Sequence, residues 1–356
     1  MNESQGELLS APSRIVVRCP NWVGDLVMAV PALRALREGF PGAEIALLLK
    51  PHLAELMAGS PWHDRVIPLE IYGANRRRGR LGRAARELRA ERFNLAVVLA
   101  NSFSAAWILW RAGVPRRAGY ARNGRSLLLT DRLPPPREGG VIAPAPMQRY
   151  YLDLVARLGC PSRGTELSLF VTAGENKEIT ERLAGAGFAE TRPLVAVAPG
   201  ASFGASKQYP PERFAAAADA VIEKHGGAAI LLPGPGEEQE ARAVAGAMRC
   251  RAAVIWPPVT LGPFKAALAR SALLLTNDSG ARHVAEALGV PHVVMMGPTD
   301  RRYSAMSERH AIVLRRDVPC GPCHLKICPL DHRCMTGIGP EEVAAAAETA
   351  LARERA

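Results

Sequence analysis

Short apolar runs recur along the whole chain, with stretches of helical period between most of them, and this alternation is the strongest constraint on the fold. The runs cover residues 14–19, 45–49, 95–99, 194–198, 228–232, 252–255, 273–276 and 292–296. Most are apolar at consecutive rather than alternate positions, the pattern of strands buried on both faces in a helix-covered parallel sheet. The expected fold class is therefore α/β, with two Rossmann-like doubly wound domains, and 356 residues suit two domains. A Pro/Gly-rich stretch at 133–146, a helical pattern over 147–158 and a second interruption at 159–165 separate the halves. We expect domains at 1–170 and 171–356, with a connecting helix over 175–186. A final helix over 340–352, rich in Ala and Glu, is a candidate to pack back on the first domain.

Composition narrows the class further. At 48% hydrophobic and 22% charged residues the chain is ordinary and globular, not disordered or collagen-like. The apolar runs fall far short of the ~20 residues of a membrane span, and a cytoplasmic location is expected. The net charge is +11, and all of it sits in the first half: residues 1–165 hold 24 basic and 13 acidic side chains, the remainder 21 of each. Arg76, Arg77, Arg78, Arg80, Arg83, Arg86, Arg89 and Arg92 form the densest run. Such a run suits a solvated helix face, nucleic acid, an anionic membrane or a phosphorylated substrate. Few aromatics are interleaved, which argues against a single-strand stacking platform.

Open α/β sheets bind ligands beyond the carboxyl ends of their strands, so the loops that follow strands are where chemistry is expected. The first strand runs into Pro20-Asn21-Trp22-Val23-Gly24-Asp25 at a helix start. There Asp25 is either a helix cap or a general base. In the second half, Pro199-Gly200-Ala201-Ser202-Phe203-Gly204-Ala205-Ser206-Lys207 supplies amides, hydroxyls and one ammonium, a loop suited to phosphate. It lacks the Walker A order, so ATP hydrolysis is not implied. A third loop, Thr276-Asn277-Asp278-Ser279-Gly280 with His283, places a helix N-terminus beside a carboxylate, and Gly297-Pro298-Thr299 closes a fourth strand. Each also has a purely structural reading, as caps and solvated loops.

The order and spacing of these motifs resemble the family-9 glycosyltransferases, the heptosyltransferases of lipopolysaccharide core synthesis, over nearly the whole chain. The Asn21-Trp22-Val23-Gly24-Asp25 loop resembles that of members adding the second heptose more than the Ser-Leu-Gly-Asp loop of those adding the first. Asn101-Ser102-Phe103-Ser104, Gly113-Val114-Pro115-Arg116-Arg117 and Arg149-Tyr150 are similar to acceptor-half motifs. Departures are Tyr209-Pro210, where Trp-Pro is common, and Ser104, where Lys is common. The resemblance implies a GT-B architecture with inverting transfer from ADP-heptose to the heptose on Kdo2-lipid A. It also implies no cofactor required for catalysis, a cytoplasmic enzyme peripheral to the inner membrane, and no nucleic acid.

In that reading Asp25 is the base and Lys207, with Ser202 and Ser206, neutralises the departing ADP. Gly234, Glu238, Glu240, Asp278, Ser279, Gly280 and His283 line the donor site; Asn21, Trp22, Asn101, Ser102, Arg116 and Arg122 meet the acceptor. The spacing Cys320-x2-Cys323-x4-Cys328-x5-Cys334 suggests a structural zinc site, with reduced thiols or two disulfides as the other readings. Two competing functions follow: another heptosyltransferase of the same family, or a basic nucleic-acid-binding protein with a four-cysteine zinc module.

Overall fold

The computed structural model describes residues 11–70, 79–188, 193–306 and 308–353; Arg76, Arg77 and Arg78 of the basic run lie outside them. Two six-stranded sheets, parallel throughout, define two lobes. The first contains β1 (Arg14–Arg18), β2 (Glu44–Leu49), β3 (Arg65–Pro68), β4 (Leu95–Val98), β5 (Arg116–Tyr120) and β6 (Asp131–Leu133), in the order β3-β2-β1-β4-β5-β6. A small antiparallel hairpin follows, β7 (Arg137–Glu138) and β8 (Val141–Ile142). The second sheet contains β9 (Leu194–Ala198), β10 (Ala228–Leu231), β11 (Ala252–Val254), β12 (Leu273–Asn277), β13 (His292–Met296) and β14 (Ala311–Arg315), in the order β11-β10-β9-β12-β13-β14. The order is the same in both lobes. Each sheet reverses direction beside its first strand, at β1/β4 and at β9/β12, and such a reversal opens a crevice at the carboxyl ends.

Strands β3, β5, β6 and β14 carry Arg65, Arg116, Arg117, Arg132 and Arg315, so none stands out as an apolar run. They lie in the outer parts of the sheets, where one face or edge reaches water.

The helices of the first lobe are α1 (Val23–Met28), α2 (Val30–Gly39), α3 (Ala54–Met57), α4 (Arg80–Ala90), α5 (Phe103–Arg111) and α6 (Met147–Ala156). A helical stretch expected over 26–36 is broken at Ala29, because Pro31 in the first turn of α2 has no N–H to continue α1. The second lobe has α7 (Ala173–Gly185), α8 (Pro211–His225), α9 (Glu238–Ala247), α10 (Leu261–Ala269), α11 (Gly280–Ala287), α12 (Arg333–Thr336) and α13 (Pro340–Arg353). A Thr172/Glu175 capping box starts α7.

Helix α6 packs on α2 and α7 on α10, so the chain changes lobe between them, around the expected boundary. Helix α13 stays in the second lobe. Val343, Ala346, Ala347 and Ala350 bury against the α8 side, where Ala217 and Val221 lie in the same core, and the expectation that it returns to the first domain is corrected. Lys224 and His225 of α8 both bond Glu348, the former at 2.7 Å.

One core runs through both lobes, joining Leu26, Val27 and Leu33 of α1 and α2 to Leu268, Val284 and Ala285 of α10 and α11. Separate cores cover the outer faces, under α4 and α5 on one lobe and under α8, α9 and α13 on the other. No helix among the described residues is long and apolar enough to cross a membrane.

A polar latch also joins the lobes. Lys265 of α10 is fully buried, and its Nζ donates to the carbonyls of Glu55 (2.8 Å) and Ala58 (3.1 Å) in the first lobe and pairs with Glu175 at 3.1 Å. In return Glu55 accepts a hydrogen bond from the Gly262 N–H at 2.7 Å. Burial pulls the Lys265 ammonium below its usual range, and the Glu175 and Glu55 charges pull it back. Lys265→Ala should leave the Glu175 carboxylate buried without its cation and destabilise the chain by about 3 kcal/mol, read as a lowered melting temperature.

Candidate active site

Both switch points bring their loops to one gap. From the first lobe, β1 ends at Arg18, and its loop delivers Asp25 in the first turn of α1. Asp25 is not the cap: that position is Trp22, with no side-chain cap bond. Nor does the carboxylate make a hydrogen bond or ion pair with any described residue. Burial pushes its pKa up to about 6, against the lowering pull of the Lys207 charge across the gap.

From the second lobe come the β9 and β12 loops. Lys207 Nζ bonds both the main-chain oxygen (2.8 Å) and the carboxylate (2.7 Å) of Asp278, and lies 5.2 Å from the centre of the Phe203 ring. An ammonium has three N–H groups, so one remains for an incoming anion. Asp278 also accepts from Thr299 at 2.6 Å and from Arg282 at 3.1 Å. Burial alone would raise the Asp278 pKa; the Lys207 and Arg282 charges outweigh it and hold the carboxyl well below the usual range. Arg282 is itself fully buried and bonds Ser304 and Glu308. Asn277 ties the loops together, donating to the Pro199 carbonyl and accepting from the Tyr209 N–H.

The two lobes touch where α1 and α11 begin. A Cβ on Gly24 would lie 2.7 Å from His283 Cδ2, and one on Gly280 would lie 2.8 Å from Val23. Only glycine permits this approach, which aims two helix N-termini at one place. Ser279 caps α11 through Ala281 N–H. His283 is buried, its Nδ1 has no partner, and burial lowers its pKa to about 3, so the ring is neutral at physiological pH.

Not all the expected donor residues face the gap. Ser206 is buried and gives its hydroxyl to the Leu325 carbonyl, so it anchors its loop. Ser202 is exposed on that loop. Glu238 pairs with Arg242 on α9, and Glu240 accepts from Gln208 at 3.3 Å while its other oxygen is buried without a partner. The acid that meets the Gly-rich turns is their neighbour Glu237. Its carboxylate accepts the Gly234 N–H at 2.8 Å and lies where a Cβ of Gly200 would be. Burial raises its pKa. The sequence signal was the acid closest to the turn after β10, obscured by two further acids on the same helix.

The expected acceptor residues divide in the same way. Asn21 accepts from buried Arg18 at 2.7 Å, and Trp22 is 60% exposed at the mouth. Asn101, after β4, accepts from Arg125 and Tyr150, both at 3.0 Å. Tyr150 stacks on Tyr120 with ring centres 3.7 Å apart. Arg122 follows β5 on the same side, with a buried Nε that lacks a partner. Ser102 is committed to capping α5. Arg116 is the clear miss: it is level with Leu95, the first residue of β4, at the amino edge away from the gap, and it is paired with Asp131 at 2.8 Å. Thr299 enters the sequence reading only as part of its strand-end loop, and Arg125 and Arg282 are missed; a cation inside an otherwise apolar or small-residue segment is the signal that could have found the arginines.

The cysteines near the C-terminus are all free thiols, and among the described residues no group of three or more His, Cys, Asp or Glu is arranged to hold a metal ion. The thiols do not hold the geometry of the expected tetrathiolate, although burial and then the neighbouring Cys328, Cys320 and Cys323 push the Cys334 thiol up. Main-chain bonds hold that loop instead: Ser206 N–H donates to the Lys326 carbonyl at 3.0 Å and His324 N–H to the Pro298 carbonyl at 2.9 Å, while His332 bonds the Ser206 carbonyl oxygen at 2.7 Å.

Two doubly wound lobes, with a carboxylate from one opposed to an anion-holding set of loops from the other, define a GT-B glycosyltransferase. The family model for glycosyltransferase family 9 (heptosyltransferase) matches residues 81–333, and the chain belongs to that family. It is 27% identical over 325 residues to lipopolysaccharide heptosyltransferase 2 of Escherichia coli, covering 85% of this chain and 88% of that protein. The solved structure of E. coli ADP-heptose lipopolysaccharide heptosyltransferase II superposes with a TM-score of 0.79 at 26% identity, covering 96% of this chain and all of that one. A family-9 glycosyltransferase structure from Veillonella parvula gives a TM-score of 0.84 at 25% identity, covering 96% of this chain and 98% of that one.

Gly24→Ala should wedge the lobes apart at His283. The expected outcome is a loss of turnover of about tenfold or more, because displacing the Asp25 carboxylate from the Lys207 loop forfeits the alignment of groups across the gap, with circular dichroism unchanged.

Proposed function

We propose that this protein transfers L-glycero-D-manno-heptose from ADP-heptose to the first heptose of heptosyl-Kdo2-lipid A by inverting displacement, at the cytoplasmic face of an anionic membrane. The observation that carries the reading is Asp25, a half-buried carboxylate without a partner among the described residues, facing a lysine poised to receive an anion. The names of the similar proteins support the choice of sugar, and the basic first lobe suits a phosphorylated glycolipid acceptor.

In this reading Asp25 takes the proton from the acceptor hydroxyl as that oxygen bonds the anomeric carbon of the donor. The bond from that carbon to the diphosphate oxygen breaks, and its electron pair leaves with ADP. The free N–H of Lys207 and the first amides of α11 meet the growing negative charge, which is the interaction that strengthens towards the transition state. Asp278 aims Lys207 and keeps it charged. Glu237 has one carboxylate oxygen on the Gly234 N–H and the other free for ribose hydroxyls. Because this chain's own cation and helix amides supply the neutralisation, the transfer requires no bound metal.

The test is ADP release with a panel of nucleotide sugars and of acceptors truncated within the inner core. ADP-heptose with heptosyl-Kdo2-lipid A should turn over best; turnover of none of these pairs would overturn the reading. Asp25→Asn should lose about 10²–10⁴-fold in kcat while still binding ADP. For the wild type, kcat/KM should fall about tenfold per pH unit below pH 6 as Asp25 takes up its proton. Lys207→Met removes the charge that lowers this pKa, so the acid limb should move to higher pH.

Chelation by EDTA should leave turnover unchanged, and metal analysis of anaerobically purified protein should find no stoichiometric zinc. One zinc per chain would restore the tetrathiolate reading of Cys320, Cys323, Cys328 and Cys334.

A further inference from the structure

Helices α4 and α5 cover the outer face of the first sheet and pack against each other. The inner side of α4 is buried through Ala85 and Leu88, while Arg80, Arg83, Arg86 and Arg89 are exposed. None of these four arginines has a hydrogen-bond or ion-pair partner among the described residues. Elsewhere on the lobe Arg14, Arg65 and Arg116 are matched to carboxylates. Glu87 is the only acid on α4, so the face carries a net positive charge.

Beside it, α5 leaves large apolar groups in water: Phe103 is 49% exposed and Trp110 46%, seven residues apart and hence on one side of the helix. Leu127, in the turn packed against α5, is 85% exposed. Phe103 begins α5 just after β4 ends, at the rim of the gap, so this apolar edge starts where an acceptor would enter.

We propose that this α4–α5 face docks on an anionic lipid bilayer, with Arg83, Arg86 and Arg89 on the headgroups and Phe103, Trp110 and Leu127 in the interfacial layer. Cations without partners are drawn to a negatively charged leaflet, and aromatic and leucine side chains seat at the boundary between headgroup and acyl chain. Duplex nucleic acid would use the arginines but has no apolar layer for the exposed Trp110 of α5 or for Leu127 in the turn beside it. The proposal deepens the membrane-side placement given under the proposed function and rests on it only for the choice of partner.

The full chain, without donor or acceptor, is mixed with vesicles of phosphatidylcholine alone or with phosphatidylglycerol added. Sedimentation with the anionic vesicles is expected, falling as salt rises. Combined Arg83→Glu, Arg86→Glu and Arg89→Glu should reduce partitioning about a hundredfold, and Trp110→Ser should reduce it severalfold, with circular dichroism unchanged in both. Brominated lipid should quench more of the wild-type tryptophan emission than of the Trp110→Ser emission.

Failure to bind anionic vesicles, equal binding by wild type and variants, or equal affinity for duplex DNA would overturn the docking face. The same variants should release ADP from a soluble, lipid-free heptosyl acceptor at the wild-type kcat/KM. Vesicle binding therefore judges the face, and turnover of the soluble acceptor by the wild type judges the transferase reading separately.

Discussion

The structure depends on a contact that only glycine allows. Where α1 and α11 begin, Gly24 faces His283 and Gly280 faces Val23 at distances that leave no room for a Cβ. Two helices from different lobes thereby present their positive ends to one place, an arrangement that repels itself unless negative charge sits between them. Asp25 on one side and Asp278 on the other supply part of that charge, and a diphosphate would supply more. The unusual basicity of Asp25 has the same origin, since the contact that brings the lobes together also removes water from its carboxylate.

Within the second lobe the charges form a ladder. Glu308 steadies Arg282, Arg282 and Lys207 share Asp278, and Thr299 satisfies the oxygen that Lys207 also uses. Each member is buried or nearly so, and each would be costly alone. Together they fix a lysine in one place with a donor to spare, which a solvated lysine at the same loop could not achieve without losing side-chain entropy on binding.

Much of this was legible in the sequence because burial leaves a continuous apolar signal. All eight expected strands are present, and Asp25, Lys207, Asp278 and His283 were singled out from their positions after strands. What was not legible depends on partners distant in sequence. Arg116 looks like an anion-binding residue until Asp131 is seen beside it at the wrong edge of the sheet. Ser206 looks free until Leu325, more than a hundred residues later, takes its hydroxyl. Glu237, Glu238 and Glu240 differ only in which way a single helix turns them. The four cysteines are close in sequence, but three-dimensional ligand geometry is not a property of spacing.

The bonds from Ser206 to Leu325 and Lys326, and from Tyr209 and Arg213 to Ile338, have a consequence for biosynthesis. All six strands of the first sheet lie within the first 133 residues, so that half can assemble while the ribosome is still at work. The loop bearing Lys207 has no such early support: its buttress lies more than a hundred residues further along the chain. A nascent polypeptide would thus hold every strand of its first sheet well before the Lys207 loop could be braced.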